Sequence, residues 1–378
     1  MSDHGALLLI LAALHVMESC QVVPHGAVIF RSAWWGRYLP RPASSLLQMS
    51  RGRFLFLNPL DVRAHAFVTG IPHILPVAEG VLDVAPEEDN APRRRPFVPW
   101  SAIGPARADE SVVWCAGLGM LPCGSPRSAR LWARVLNALR SAPPERRGGL
   151  ADRWLRLRFS REIAGRRLAR VERACAPLEW ACTLGFAATV AGAVVITQRV
   201  SEWLLIGFLG TGVLAGIAIA VTYALAHARL EPGAWLTRLG KALLMAACFP
   251  VAFRARSILG RDALGQAHPA TVGALLLKPR AAQAMLAMTL RRWQHLSPAP
   301  QAGSVDADIY ARAAARMIAQ VCSLAEALGA DPAGLTAGPD MRDPQVRGWC
   351  PRCHATYVHA SGCCAECRDI ALVPVDRG

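Results

Sequence analysis

Two long apolar runs, Leu178–Thr197 and Leu204–Ala226, constrain this chain more than anything else in it. At about 1.5 Å per residue, a helix over either run is long enough to cross a hydrocarbon core of roughly 30 Å. Only Gln198–Trp203 lies between them, which is a turn and not a domain. The pair therefore predicts a transmembrane helical hairpin over 178–226 with both ends on one side. Small residues recur at helical spacing, Ala188 with Gly192 and Gly212 with Gly216. In lipid such residues let two helix backbones approach closely, so these four are the candidate packing positions. Trp180 and Trp203 stand at segment ends, where amphipathic rings favour the interface. The competing reading is a helical pair buried in a soluble core, in an alanine-rich chain that supplies small residues anyway.

A length of 378 residues allows several modules, and an apolar content of 53% suits a membrane protein with soluble parts. The formal charge of +15 is almost all arginine, since Lys241 and Lys278 are the only lysines. With so much alanine and glycine, that skew is most simply a coding bias, so it argues only weakly for nucleic acid. The positive charge also gathers near the apolar runs, where topology explains it.

In chain order, Gly5–Met17 is a short apolar run, and residues 1–23 are expected to form an N-terminal membrane anchor. The run has no basic start, which disfavours a cleaved signal. Arginines at 31, 37, 41, 51 and 53 place the following residues on the cytoplasmic side by the positive-inside rule. Residues 24–142 predict a cytoplasmic β-rich domain: GAVIF, RFLFL, AFVTG, GVLDV and SVVWC are short β-prone runs punctuated by Gly, Pro and Asn. Pro86–Pro99 reads as a loop, and Pro126–Ser141 as a helix that Ser125 can cap. Strands closed by a C-terminal helix are similar in architecture, though in no motif, to bacterial pleckstrin-homology-like domains. Residues 143–177 predict a basic juxtamembrane helix ending near Pro177, a topology determinant or a surface for anionic lipid. Residues 227–330 read as a helical region, with a short apolar segment at 242–253 and a clear helix from about Asp306 as N-cap. Residues 331–348 read as a linker.

The sharpest signal lies in residues 349–378. Cys350-Pro-Arg-Cys353 is followed, after ten residues, by Cys364-Ala-Glu-Cys367. Each CxxC turn offers two thiolates, and two turns supply the four soft ligands a tetrahedral ion needs. The segment resembles a four-cysteine zinc ribbon, which implies a structural zinc ion held by Cys350, Cys353, Cys364 and Cys367 in a closed shell. Cys363 is an alternative ligand, as are His354 and His359. The residue after each knuckle is His354 or Arg368, where ribbons commonly have glycine. A pair of redox dithiols is the other reading of two CxxC motifs. The remaining cysteines are scattered, against a secreted disulfide framework and for a reducing compartment.

The chain contains no HExxH, GxSxG or P-loop motif, and few charges inside the apolar runs to mark a transport path. The fold class expected is a multi-domain membrane protein: an N-terminal β-rich (α+β) domain, a transmembrane α-helical hairpin, a helical region and a C-terminal zinc ribbon. The function expected is a non-enzymatic scaffold or regulatory component of the bacterial inner membrane, with its soluble parts and C-terminus cytoplasmic. Its partners would be the lipid bilayer and a protein docked on the ribbon. The alternative is a membrane-tethered nucleic-acid binder using the ribbon and the arginine-rich segments.

Overall fold

The computed structural model describes residues 20–23, 28–32, 37–40, 53–56, 65–68, 74–83, 97–110, 112–123, 126–197, 202–230, 235–247, 259, 264–295, 305–339, 343–365, 367 and 370–375. Eleven of its strands come first: β1 (Cys20–Val23), β2 (Val28–Ser32), β3 (Arg37–Pro40), β4 (Arg53–Phe56), β5 (His65–Val68), β6 (Ile74–Pro76), β7 (Gly80–Asp83), β8 (Phe97–Pro99), β9 (Arg107–Asp109), β10 (Val112–Cys115) and β11 (Gly119–Pro122). Among the described residues nine α-helices follow: α1 (Pro126–Ser141), α2 (Pro144–Phe159), α3 (Arg161–Thr197), α4 (Glu202–Leu230), α5 (Trp235–Ala247), α6 (Pro269–Leu276), α7 (Pro279–Gln294), α8 (Val305–Glu326) and α9 (Pro332–Thr336). Three short strands close the chain: β12 (Gly348–Trp349), β13 (Thr356–Tyr357) and β14 (Val373–Pro374).

The chain divides into two units. The first comprises Met1–Pro42, Arg51–Thr69 and Glu162–Gln266; the second comprises Ala43–Ser50, Gly70–Arg161 and Ala267–Gly378. The range 24–142 is thus shared between them.

In the first unit β1 pairs antiparallel with β4, and β2 lies between β3 and β5. Residues 1–19 of the expected anchor lie outside the described residues. Its last four residues are strand β1, with Cys20 opposite Phe56, so the expected helix does not extend over Cys20–Val23. The basic helix does not stop at Pro177. α3 runs through it, from Arg161 to Thr197. A proline inside a helix forfeits one backbone bond and costs about 3 kcal/mol. Tight packing on either side offsets this, with Cys175 and Leu178 fully buried. α3, α4 and α5 share one core that includes Val171, Leu178, Ile219, Tyr223, Ala242 and Met245. The described part of the 242–253 segment is the end of α5, whose 13 residues reach only about 20 Å, short of a bilayer core. Cys248–Phe253 lies outside the described residues.

The second unit is built around the sheet β6-β7-β8, which is buried on both faces. Leu75 pairs with Leu82, and both turn into a helical core with Leu155, Leu286, Leu290 and Val321. Ile74, Val81 and Val98 turn the other way, into a core with Trp100, Val113, Leu121 and Leu136. A strand buried on both sides is apolar at every position, which is why Ile74-Leu75-Pro76 shows no alternation. β8 occupies Phe97–Pro99, at the end of the stretch expected to be a loop. Gly80 is required here, because a Cβ on it would collide with the Val98 carbonyl oxygen. The second sheet, β11-β10-β9, is covered by α1. The Asn137 amide on α1 accepts from the Ala106 N–H and donates to its carbonyl, both at 2.8 Å. Asp306 lies in the first turn of α8 and not at its N-cap, since the helix begins at Val305.

Two buried basic residues sit where α2 meets α6. The Arg158 guanidinium lies 4.8 Å from the Trp154 ring centroid and 5.6 Å from that of Trp132. Desolvated cation–π contacts of this kind contribute about 2 kcal/mol. Burial lowers its pKa to about 10. The Arg158 carbonyl accepts from the His268 N–H at 2.9 Å and the Thr271 hydroxyl at 3.1 Å. His268 stacks on Phe159 at 4.4 Å, and its Nδ1 caps α6 by accepting from the Ala270 N–H. Burial, then Arg158 and Arg292, hold its pKa well below the usual 6.5.

A pH dependence follows. The unfolded chain takes up a proton at His268 near pH 6.5 and the folded chain does not, so stability is greatest above 6.5. It falls by up to about 1.4 kcal/mol per pH unit as pH drops below that value toward the folded pKa. Urea unfolding of the full-length protein between pH 7.5 and 5 should show this loss. His268→Asn, which keeps a capping acceptor, should flatten it; an unchanged slope would assign the dependence to other groups.

Candidate metal centre

The C-terminal segment is a three-stranded sheet in the order β13-β12-β14, with the two CxxC turns at one end. Gly348 pairs with Tyr357 on one side and Pro374 on the other. A Cβ at Gly348 would stand 2.6 Å from the His359 carbonyl oxygen, so only glycine lets the following loop cross the central strand. The first turn leaves β12 directly. The Cys350 N–H donates to Ala355 and the His354 N–H donates back to Cys350, at 2.9 and 2.8 Å. The second turn is fixed by the Cys364 N–H on the Ile370 carbonyl and by the Cys363–Ala371 bridge.

These turns bring the sulfur atoms of Cys350, Cys353, Cys364 and Cys367 within 4.8 Å of one another. Cys353 and Cys364 stand 3.5 Å apart. Among the described residues this is the one group of at least three Cys, His, Asp or Glu side chains converging in this way. Cys363, His354 and His359 are not among its members. Four sulfurs bound at about 2.3 Å to one tetrahedral ion lie about 3.8 Å apart, so the spacing fits a metal with little adjustment. Cys350 and Cys364 are fully buried and Cys353 is exposed.

Donors already point at the cluster. The Cys367 N–H donates to the Cys364 sulfur at 3.3 Å, and the Tyr357 hydroxyl donates to it at 3.1 Å. The Ala365 N–H in turn donates to the Tyr357 oxygen at 3.0 Å. Three of the thiols differ in acidity. A hydrogen bond from Cys367 lowers Cys353 to about 5, burial pushes Cys350 up to about 11, and the Cys353 interaction raises Cys367. Four thiolates at this spacing repel, and a cation among them is what lets all four ionise. Zinc is the ion typical of such a set.

This C-terminal segment is tied to the helices before it. Residues 331–348, expected as a linker, contain α9, whose N-cap Asp331 accepts from Ala333 and Gly334 at 3.1 and 2.9 Å. Asp-Pro is a helix start signal that a purely compositional reading overlooks. The Trp349 ring packs against Gly338, where a Cβ would approach it to 3.1 Å. Arg291 on α7 lies 3.0 Å from the His354 ring nitrogens, a contact spanning 63 residues of sequence that no motif announces.

The candidate packing residues belong to the first unit. Gly216 is buried, and Ala188 and Gly212 are half-buried. A Cβ on Gly212 would meet nothing within 4 Å. Gly192 lies in α3, and its burial is outside what is described.

No protein-family model matches the chain, and no curated protein or solved structure gives a significant match.

Proposed function

We propose that this chain is a non-enzymatic integral membrane protein, a scaffold or regulatory component whose cytoplasmic zinc ribbon is a structural docking module. The observation that carries the reading is the outer stripe of α4. Gly210–Leu230 is the one described helix segment long and apolar enough to cross a bilayer. Its inner face packs through Ile219, Tyr223 and Leu230, whereas Val213, Ile217, Val221 and Leu225 recur every fourth residue and are each more than half exposed. Leu214 widens the stripe. A helix apolar on both faces, with one face open, suits lipid far better than water. Trp180 on α3 and Trp203 at the start of α4 are exposed as well, as interface anchors would be. The hairpin over 178–226 and the inner-membrane placement rest on the same argument.

Four cysteines fill the coordination of zinc, so the ion leaves no open position for a substrate and acts by shaping the ribbon. The test is affinity purification of the full-length tagged protein from native membranes in mild detergent, before and after nuclease. A nuclease-resistant protein partner that is lost on Cys350→Ser, with the variant still in the membrane fraction, is expected. Partner retention by that variant would refute the docking role. Recovery of nucleic acid alone, weakening steeply with salt, would favour the tethered nucleic-acid binder.

A further inference from the structure

His354 adopts φ +63°, the left-handed region. That conformation is disfavoured for any side chain other than glycine. It falls directly after the first knuckle, where glycine would carry no such cost. A side chain kept in a strained position needs contacts that offset it, and His354 has two. Trp349 meets its ring edge-on at 5.1 Å, and the Nη1 atom of Arg291 lies 3.0 Å from both ring nitrogens.

Arg291 reaches the ribbon from α7, outside the zinc-ribbon sequence altogether. Its Nε is buried and has no hydrogen-bond partner among the described residues. Burial disfavours its charge, while Cys353 and Cys350 favour it, so the guanidinium lies within Coulomb reach of two of the four candidate ligands. The neighbouring charges are cationic too: Arg292 is half-buried and is acted on by Arg352 of the knuckle, which also acts on His295. Cations gathered at one interface repel unless something anionic lies among them. A zinc ion with four thiolates carries two net negative charges, four against a dication, and would supply that anion.

We infer that Arg291 belongs to the metal centre as its outer-sphere cation, clamped on His354 and balancing the tetrathiolate charge, so that metal binding docks the ribbon on α7. The inference rests on the zinc reading and adds to it: the ribbon face that carries His354 and Trp349 is occupied by the protein's own helix. The docked state is the loaded state. Loss of the metal takes away the tetrathiolate that Arg291 balances and loosens the ribbon on α7. Outer-sphere partners of this kind are worth about 10- to 100-fold in metal affinity.

The experiment uses the full-length protein in detergent, with Co²⁺ as a spectroscopic probe and Zn²⁺ titrated against a competing chelator. The wild type should show tetrahedral cobalt–thiolate bands. Arg291→Gln, which can still hydrogen-bond to His354, should keep those bands but lose about tenfold or more in zinc affinity, and Arg291→Lys should restore most of the loss. His354→Gly should relax the knuckle and keep the bands, yet lose hydrogen-exchange protection along the α7–ribbon contact. Unchanged zinc affinity in Arg291→Gln would overturn the inference and leave the zinc reading intact. Absence of cobalt–thiolate bands in the wild type would overturn the zinc reading itself.

Discussion

Cys364→Ser should leave the full-length protein unable to hold a stoichiometric zinc ion and should unfold the ribbon, with the helical cores unaffected. Cys364 is fully buried and receives both the Tyr357 hydroxyl and the Cys367 N–H. The core of the ribbon consists of Cys350, Cys364 and Leu372, with Tyr357, Cys367 and Ile370 packed partly against it. Two of its three buried residues are thus candidate metal ligands. Burying one leucine contributes about 2 kcal/mol, whereas ordering each backbone residue costs about 1–2 kcal/mol. Burial therefore cannot hold the segment from β12 to β14. A structural zinc ion contributes an apparent 10–16 kcal/mol or thereabouts, coupled to folding, and removing one of four ligands forfeits most of it. The measurement is zinc content together with hydrogen exchange. The Cys350, Cys364 and Leu372 amides, bonded in the folded ribbon, should lose protection, while α7 and α8 keep theirs. A strong chelator should produce the same pattern in the wild type. A serine variant that keeps its zinc and its protection would show that the fourth ligand is dispensable.

The four-cysteine cluster was legible because ligand spacing is a local property of sequence. Two CxxC turns must each place two sulfurs together, and the ten intervening residues are enough to bring the second turn back to the first. The five β-prone runs also correspond to strands, β2, β4, β5, β7 and β10. The rest was hidden for identifiable reasons. β6 shows no alternation because both its faces are buried, and β9 has three exposed residues and hence no hydrophobic signal. β1 merges with an apolar run, and only its pairing with β4 identifies it as a strand. Pro177 signals a helix end, yet the packing of Leu178 and Cys175 overrides it. Arg291 is one of forty-two lysines and arginines, and only the fold sets it beside His354. The sequence did carry one clue, a histidine where the turn wants glycine, and the left-handed φ of His354 gives that clue its meaning.

Ile217→Arg combined with Val221→Arg should remove the protein from the membrane. Both positions lie near the middle of Gly210–Leu230, and their side chains are 54% and 52% exposed. In a lipid-facing stripe each arginine at helix centre costs about 2.5–3.5 kcal/mol of insertion free energy. Two of them together should move most of the chain from the carbonate-resistant membrane fraction to aggregate or degradation. The same substitutions have the opposite sign if α4 faces water. A half-exposed surface position away from caps and buried networks tolerates substitution within about 0.5 kcal/mol, and replacing an exposed apolar stripe with charge raises solubility. Ile219→Arg is the control for packing. Ile219 is buried against α3 and α5, so its replacement should destabilise the unit in either environment. Only the outer-face pair separates the two cases, and it does so by sign as well as by size. Loss of the double variant from membranes would establish α4 as a lipid-facing span. Full recovery of a more soluble, folded protein would make α4 the outer helix of a soluble bundle whose apolar stripe awaits a protein partner.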